Sequence, residues 1–329
     1  MVLMSEPRRR RENLLLVVGL PVSGKSTFIG ALYNVLEDDS VPLSCKWNTS
    51  PDDASYAHEL AVAWGECRPP ERTGLRREIL LHLKHLATNS NFELRFPDVA
   101  GEVFEHQWQL RGYSPTYAED IDRATGIILF VSPIVRTGEL IRASDQKLAE
   151  TFGSMLGLPL EEGATAKTSH LAFSGANATE NQRALVEAIA RHPERTPTQV
   201  MLVELLQFIA RRRGWDSAPL PVAVVISMWD GPRGEDSTRS PSAWQDCELP
   251  LLSQYLRSNA TRFPSRVFGI SAQGGDYENK EDYARLTKMI TERAQRVIVD
   301  DPPAAVESHD ITLPLDWILT ELNRLNSYD

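Results

Sequence analysis

The strongest chemical signal in the chain is the stretch Gly19-Leu-Pro-Val-Ser-Gly-Lys-Ser26, which matches the phosphate-loop pattern G-x-x-x-x-G-K-S. In this pattern, backbone N–H groups at a helix N-terminus cradle phosphate, the lysine reaches the β- and γ-oxygens, and the serine hydroxyl ligates Mg²⁺. The residues expected to contact nucleotide phosphates are Gly19, Val22, Ser23, Gly24, Lys25, Ser26 and Thr27. We expect Lys25 to supply a catalytic charge and Ser26 to ligate the metal.

A second signal is the stretch Phe96-Pro-Asp-Val-Ala-Gly101, in which a carboxylate follows an apolar strand. At this position Asp98 can hold Mg²⁺ or one of its waters, and the N–H of Gly101 can donate to the γ-phosphate. A D-x-x-G pattern is weak alone, but here it follows a phosphate loop and a predicted hairpin. We therefore expect Asp98 to be a metal ligand and Gly101 to contact the nucleotide.

Two later segments bear on the base of the nucleotide. Ser227-Met-Trp-Asp230 follows an apolar strand, and the Asp230 carboxylate can accept two hydrogen bonds from a guanine edge that adenine cannot donate. Ser271-Ala272 ends a further strand, where a backbone N–H can donate to the guanine carbonyl. The expected base contacts are Trp229, Asp230, Ser271 and Ala272, and they favour GTP over ATP.

These motifs need a sheet that brings strand ends together, and the apolar pattern predicts one. Strands are predicted at residues 14–18, 78–86, 91–96, 126–131, 222–227 and 266–271, the last being the final strand. Helices are predicted at residues 27–36, 139–152, 198–213, 243–259, 281–297 and 314–325, with another at 54–64 inside a long polar loop. The pattern predicts an α/β fold with a doubly wound, mostly parallel sheet and an antiparallel edge hairpin.

The predicted domain organisation is simple. Residues 1–13, with their run of arginines, form a flexible arm, and residues 14–329 form one P-loop domain. Residues 134–197 form an insert within it, because the interval between two predicted strands is far longer than a crossover helix requires. The insert has no phosphate loop and no metal-ligand spacing, so we expect it to dock a partner rather than catalyse a reaction.

Composition excludes several classes of function. The formal net charge is −10, which gives no basic face for nucleic acid. Three scattered cysteines suggest neither disulfides nor zinc and favour a reducing cytoplasm, and the apolar run at residues 14–20 is too short to span a membrane. The histidines that we assign to surfaces and loops rather than to a catalytic or metal site are His82, His85, His106 and His170.

The order and spacing of these motifs resemble the Ras-like, translation-factor-related class of GTPases over nearly the whole chain. More narrowly, the chain resembles the bacterial double-GTPase family, whose members are implicated in conflict or antiphage operons. The narrower resemblance rests on V-G-x-x-x-S-G-K-S-T at residues 18–27, the stretch 64–73 that ends in P-x-R-T, D-V-A-G-E at 98–102 and I-S-x-W-D at 226–230. It implies the P-loop GTPase fold, Mg²⁺ as cofactor and a partner that is a second GTPase subunit.

By the family pattern, Thr73 is the switch threonine that closes on Mg²⁺ and the γ-phosphate. Arg72 beside it is a candidate arginine finger. Glu102 stands where a Ras-like enzyme has the glutamine that orients the attacking water, and it can orient water or act as a base. Met228 and Ser227 replace the lysine and asparagine of the usual guanine motif, so base selectivity is expected to be weaker than in the family.

The predicted function is therefore a GTP-hydrolysing switch, slow without a partner, that acts in a bacterial conflict- or defence-type system. Two alternatives stay open: an ATP-using P-loop enzyme, and a scaffold that keeps nucleotide as a structural element with little turnover. Asp230 and Ser271-Ala272 argue against the first, and an intact Lys25, Ser26 and Asp98 argue against the second.

Overall fold

The described part of the chain is built on one sheet of nine strands. The computed structural model describes residues 13–38, 41–49, 55–69, 78–97, 102–134, 196–214, 216–235, 239–289, 292–301 and 306–327. The strands in these residues are β1 (Asn13–Gly19), β2 (Cys45–Trp47), β3 (Ile79–His85), β4 (Ser90–Phe96), β5 (Gly126–Val131), β6 (Val222–Ile226), β7 (Ser265–Ser271), β8 (Ile298–Asp301) and β9 (Val306–Ser308). Their order in the sheet is β2-β3-β4-β1-β5-β6-β7-β8-β9.

The central strands of this sheet run parallel. β1 pairs with β4 on one side and with β5 on the other, and β6 and β7 continue the parallel part. β2 and β3 are antiparallel additions at one end, and β8 and β9 are antiparallel additions at the other. The predicted doubly wound, mostly parallel sheet with an antiparallel hairpin is thus confirmed.

Helices cover both faces of the sheet. They are α1 (Lys25–Leu36), α2 (Ser55–Gly65), α3 (Glu102–Leu110), α4 (Pro115–Arg123), α5 (Thr198–Arg213), α6 (Asp230–Glu235), α7 (Pro241–Glu248), α8 (Pro250–Ser258), α9 (Lys280–Lys288) and α10 (Leu313–Asn326), with a short 3₁₀ helix at Arg293–Arg296. Helices α1, α2 and α10 pack on one face, and α3, α4, α5, α7 and α8 pack on the other.

Alternation along β1 explains why two cores form. Leu15 and Val17 belong to the buried cluster on one face, and Leu16 and Val18 belong to the cluster on the other. Successive side chains of a strand point to opposite faces, so a strand that is apolar at every position must be covered on both. This burial fixes the sheet, and the sheet fixes the loops that follow its strands.

The sheet is larger than the sequence pattern predicted. The strand at 266–271 was expected to be the last, but β8 and β9 follow it and extend the sheet as an antiparallel ribbon. β2 lies outside the predicted edge hairpin, in a region expected to be loop. Strands of three or four residues carry too little apolar periodicity to be distinguished from loop by sequence alone.

Two predicted helices differ from the observed ones: the first is divided in two, and the second is shorter. The helix predicted at 243–259 is two helices that meet at Leu249, because Pro250 lacks an N–H and its ring excludes helical backbone at the residue before it. The helix predicted at 281–297 ends at Lys288. Val297 and Val299 are buried, and Ile298 between them is half-buried. This alternation is the two-residue period of a strand.

His85 also departs from expectation. Rather than lying at the surface, its ring is fully buried at the end of β3. Nε2 lies 2.8 Å from the carboxylate of Asp316 in α10, and Nδ1 lies 2.7 Å from the hydroxyl of Thr88. The histidine therefore ties the hairpin to the C-terminal helix.

Several predicted features lie outside the described residues. These are the arm except for its last residue, Asn13, which begins β1, the helix at 139–152 and the insert except for its ends. Within the described residues, no helix is long and apolar enough to cross a membrane.

Candidate functional site

The carboxyl ends of β1, β4, β5, β6 and β7 lie along one side of the sheet, termed here the carboxyl edge. β1 is the point at which the chain order diverges, since β4 lies on one side and β5 on the other. Loops that leave such a point in opposite directions open a crevice, and ligands of α/β sheets bind there. The phosphate-loop motif follows β1, so it occupies this crevice.

The loop between β1 and α1 has the backbone of an anion nest. Gly24 is the N-cap of α1 in the left-handed region, at φ 84, and Val22 is also left-handed at φ 59. No side chain among the described residues caps the N-terminus of α1. The first N–H groups of the helix are therefore directed into the loop, where an anion can accept from them.

Close packing explains the two glycines of the motif. A Cβ on Gly19 would lie 2.7 Å from the carbonyl oxygen of Phe130, on β5. A Cβ on Gly24 would lie 2.7 Å from the Cβ of Ser227, in the segment after β6. The loop is thus held against the ends of two neighbouring strands, and any side chain at either glycine would separate them.

Lys25 is the buried cation of this loop. Its side chain is 2% exposed, and Nζ donates to the carbonyl oxygens of Gly19 at 2.7 Å and Leu20 at 2.9 Å. Nζ also donates to the Ser23 hydroxyl at 3.1 Å. These acceptors keep a positive charge inside the loop, where low dielectric strengthens its attraction for an anion.

The start of α3 lies beside the same loop. The ring of Phe104 in α3 is buried, and its centroid lies 6.0 Å from Nζ of Lys25. Glu102 is the first residue of this helix. The helix that carries the predicted water-orienting residue therefore begins next to the phosphate loop.

The segment after β6 presents the predicted guanine carboxylate. Asp230 is exposed at the start of α6, and its Oδ1 accepts a 2.6 Å hydrogen bond from the Ser271 hydroxyl. The Ser271 hydroxyl accepts in turn from the N–H of Gly274 at 3.0 Å. The two predicted base-contacting segments are thus joined through Ser271, although they follow different strands.

Trp229 precedes this carboxylate and lies in the core. Its indole is fully buried, and Nε1 donates to Oδ2 of Asp300 in β8 at 2.6 Å. A Cβ on Gly269 would lie 2.4 Å from the indole, so the ring packs directly on β7. Trp229 was predicted to contact the nucleotide, but its side chain packs in the core and its backbone N–H donates to the carbonyl oxygen of Ile270 at 3.3 Å.

Ala272 is held from the opposite side by a contact that sequence reasoning missed. Its carbonyl oxygen accepts a 2.8 Å hydrogen bond from Nε1 of Trp64, at the end of α2. The guanidinium of Arg296 stacks on the Trp64 ring at 3.7 Å from its centroid. No local pattern pointed to this contact, because the three residues are far apart in the chain.

Four predicted site residues lie outside the described residues: Arg72, Thr73, Asp98 and Gly101. Asp98 and Gly101 have described neighbours close to the site. Phe96 ends β4 at the carboxyl edge just before Asp98, and Glu102 begins α3 just after Gly101. Their roles stay predictions.

The part of the chain that the structure describes contains no cluster of three or more histidine, cysteine or carboxylate side chains that could hold a metal by itself. Mg²⁺ does not require one, because it keeps several waters and binds through one or two protein oxygens and the substrate phosphates. Ser26, half-buried at the start of α1, offers one such oxygen beside the nest. An oxygen of this kind suits Mg²⁺ that arrives with a nucleotide.

A family model for Double-GTPase 1 matches residues 16–318, which include every motif described above. The chain belongs to the Double-GTPase 1 family. The resemblance found in the motifs is thereby confirmed. A comparison with curated proteins finds no match.

Two solved structures illustrate what this Double-GTPase 1 chain is similar to. The SRb-GTP/SRX complex of the signal recognition particle receptor from Chaetomium thermophilum is 12% identical, with a TM-score of 0.35, and the match covers 85% of this chain and 98% of that chain. Roco2 RocCORdC from Methanosarcina barkeri, bound to GDP, is 12% identical, with a TM-score of 0.28, and the match covers 93% of this chain and 55% of that chain. Similarity at this level supports no conclusion about the site.

The backbone of Val22 yields a prediction about stability. A β-branched residue at φ 59 is strained, whereas glycine adopts this conformation freely, and the Val22 side chain is 65% exposed, so it packs little. Val22→Gly should therefore raise the free energy of unfolding by about 1 kcal/mol. Denaturation without nucleotide measures the effect.

Val22→Ala is the matched control, because alanine keeps a Cβ and should gain less than glycine. A Val22→Gly protein no more stable than the parent would show that the loop stores no strain at this position.

Proposed function

We propose that this chain binds GTP and GDP at the carboxyl edge with Mg²⁺, hydrolyses GTP, and changes its surface between the two states. The observation that carries the proposal is the pairing of two features on one edge: a buried lysine inside an anion nest, and an exposed aspartate fixed by Ser271. The first suits the phosphates and the second suits guanine. Membership of a GTPase family supports the same conclusion.

The phosphate end of the proposed site rests on Lys25 and α1. The ammonium group lies inside the loop, where it donates to the Gly19 and Leu20 carbonyl oxygens and the Ser23 hydroxyl, so at least one of its three N–H groups turns to the phosphate when nucleotide binds. The uncapped N-terminus of α1 adds donors and the positive end of the helix dipole. Together they attract the β- and γ-phosphates and stabilise the charge that develops on them during hydrolysis.

Ser26, Thr73 and Asp98 are the residues that would hold Mg²⁺. When bound, Mg²⁺ neutralises charge on the β- and γ-phosphate oxygens. Ser26 would contribute its hydroxyl directly, and Asp98 would act as an oxygen ligand or through a water. Thr73 would join when its loop closes over the nucleotide, so its release on hydrolysis would change the surface of the protein.

The attacking water is the remaining element of the reaction. Glu102 would orient it, because α3 begins beside the phosphate loop, as the contact between Lys25 and Phe104 indicates. Arg72 would supply positive charge near the γ-phosphate. A glutamate accepts a proton or hydrogen bonds but does not donate in its ionised form, so unassisted turnover should be slow.

Single-turnover GTP hydrolysis tests these roles. Lys25→Ala should lower the rate at least about 100-fold because it removes the buried cation. Glu102→Ala and Arg72→Ala should each lower the rate by about tenfold or more. Lys46→Ala, which removes an exposed lysine of β2, is the control and should leave the rate unchanged.

The three variants bear on different parts of the mechanism. A Lys25→Ala protein that hydrolyses GTP like the parent would end the proposed function. Parental rates in both Glu102→Ala and Arg72→Ala would remove only those two residues from the mechanism.

The base end of the proposed site rests on Asp230. Guanine offers two N–H donors on the edge that a carboxylate can accept, and adenine does not. The Ser271 hydroxyl donates to Oδ1 of Asp230 and so holds the exposed carboxylate in one orientation. Met228 is exposed where the family has lysine, so its thioether can cover the base but cannot add charge.

Asp230→Asn should lower GDP affinity about 100-fold, because the amide presents a donor where guanine also presents one. The same variant should bind xanthosine diphosphate better than the parent does, since xanthine has a carbonyl in place of the guanine amino group. Titration calorimetry with both nucleotides makes the measurement. Asp246→Asn, at an exposed ion pair with Arg257 in α8, is the matched control.

Equal affinity of the parent for GDP and ADP would contradict guanine recognition. An Asp230→Asn protein that loses both GDP and xanthosine diphosphate would show that Asp230 supports the fold and not the base.

Regulation of a protein partner in a bacterial conflict- or defence-type system is the finer role we propose. The insert at 134–197 leaves the sheet after β5, so it starts at the carboxyl edge beside the nucleotide site. A partner docked there would sense which nucleotide is bound. The double-GTPase resemblance suggests that this partner is a second GTPase subunit.

Deletion of residues 157–181 tests that role. The deletion should leave GTP binding nearly intact, because the described site uses none of these residues, and should weaken association with the second GTPase subunit in a pull-down. A deletion that abolishes nucleotide binding would show instead that the segment belongs to the core of the domain.

A further inference from the structure

Trp64 joins two parts of the molecule that lie far apart in sequence. It is the penultimate residue of α2, is 3% exposed, and donates its indole N–H to the carbonyl oxygen of Ala272 at 2.8 Å. Ala272 follows β7 in the loop proposed to meet the guanine carbonyl. The indole is therefore bonded to the backbone of the base-recognition loop from the side of the core.

Arg296 holds the indole in place. Its guanidinium stacks on the Trp64 ring at 3.7 Å from the centroid, and its Nη2 donates to the Trp64 carbonyl oxygen at 3.0 Å and to the Tyr277 hydroxyl at 2.8 Å. Arg296 is fully buried, and among the described residues Nε and Nη1 have no hydrogen-bond partner. A buried guanidinium with so few hydrogen-bond acceptors relies for stabilisation on its cation–π contact with the indole ring beneath it.

The phenol of Tyr277 remains a neutral group in this cluster. Burial, the main cause, raises the pKa of Tyr277 to about 12, which is far above neutral pH. Its oxygen can therefore accept from Arg296 throughout the physiological range.

The loop is fixed on both sides of Ala272. On one side, Ser271 donates to Asp230 and accepts from Gly274. On the other, Trp64 fixes the peptide that joins Ala272 to Gln273, with the carbonyl toward the core. The N–H of that peptide belongs to Gln273 and points the opposite way, since C=O and N–H are antiparallel in a trans peptide.

Gly274 removes the remaining freedom of the loop. It is left-handed at φ 82, and a Cβ there would lie 2.0 Å from the carbonyl oxygen of Arg296. The loop therefore lies directly against the backbone of the residue that supports Trp64. A substitution of Trp64 would therefore displace the N–H groups of this loop before any other part of the carboxyl edge.

We propose that Trp64 is a positioning residue for guanine recognition: its indole N–H orients the Ala272 peptide so that the N–H groups of this loop face the carbonyl of the base. The proposal rests on the proposed function of the site. It assigns base selectivity to two separate contacts, with Trp64 acting through the base carbonyl and Asp230 acting through the neighbouring N–H edge. The phosphate end of the site is not involved.

The experiment compares affinities for GDP, IDP and ADP in Trp64→Phe. Hypoxanthine keeps the guanine carbonyl and lacks the amino group, whereas adenine has an amino group in place of that carbonyl. Trp64→Phe keeps an aromatic ring on which Arg296 can stack and removes the N–H donor together with part of the indole ring. GDP and IDP affinities should fall by the same factor, about tenfold, with ADP affinity unchanged.

Trp47→Phe is the matched control. Trp47 is a partly buried tryptophan of β2 whose Nε1 has no hydrogen-bond partner among the described residues, so its replacement removes a ring of the same size and no bond. It should leave all three affinities unchanged. If Trp64→Phe fails to fold, the tryptophan isostere with sulfur in place of the indole N–H preserves shape and stacking and takes its place.

The outcomes separate the inference from the function it rests on. Loss of GDP, IDP and ADP binding in parallel would make Trp64 a structural residue and overturn the inference, as would a GDP to ADP ratio equal to that of the parent. A parent protein that binds GDP and ADP equally would overturn the proposed function itself.

Discussion

The contact between Gly24 and Ser227 sets the dimensions of the whole site. Gly24 turns the phosphate loop into α1, and a Cβ on it would lie 2.7 Å from that of Ser227. Ser227 is bonded to the end of β5 through its N–H and its hydroxyl, both of which donate to the Val131 carbonyl oxygen. The phosphate end and the base end of the site are thus a fixed distance apart, and that distance is set by strand pairing.

The other residues of the carboxyl edge are positioned one after another, starting from this contact. Trp229 is anchored to β7 and β8, through its backbone N–H on Ile270 and its indole on Asp300. Asp230 comes next and is oriented by Ser271, and the loop after Ser271 is held by Trp64. Asp230 and the loop after Ser271 are therefore each positioned by a buried partner, and a rigid site loses little entropy on binding.

Much of this arrangement could be predicted from the sequence. The phosphate loop, the apolar runs that became β1, β3, β4, β5 and β6, and the aspartate after β6 are local patterns with strong physical causes. Their convergence at one edge follows from parallel pairing. Helix α5 was predicted at its observed bounds from its amphipathic spacing, and Pro197 before it and Gly214 after it mark the same bounds in the structure.

The features that were missed depend on tertiary contacts. β8 forms because Val297 and Val299 become buried where this segment of the chain pairs with β7. The helical spacing of the preceding residues obscured the strand in the sequence. His85 is buried because α10 returns across the hairpin, and a lone histidine does not signal that. The bond from Trp64 to Ala272 has no local signature at all, since it depends on how α2 packs against the end of β7.

A guanine nucleotide held between a phosphate loop and an oriented aspartate is the centre of the proposed function. The most direct test is the identity of the nucleotide that remains bound when the protein is purified without added nucleotide, released by denaturation and separated by chromatography. The proposed function predicts GDP or GTP, at close to one per chain and displaced by added GTP. Bound ADP or ATP, or a folded protein that binds neither guanine nucleotide on titration with Mg²⁺, would contradict it.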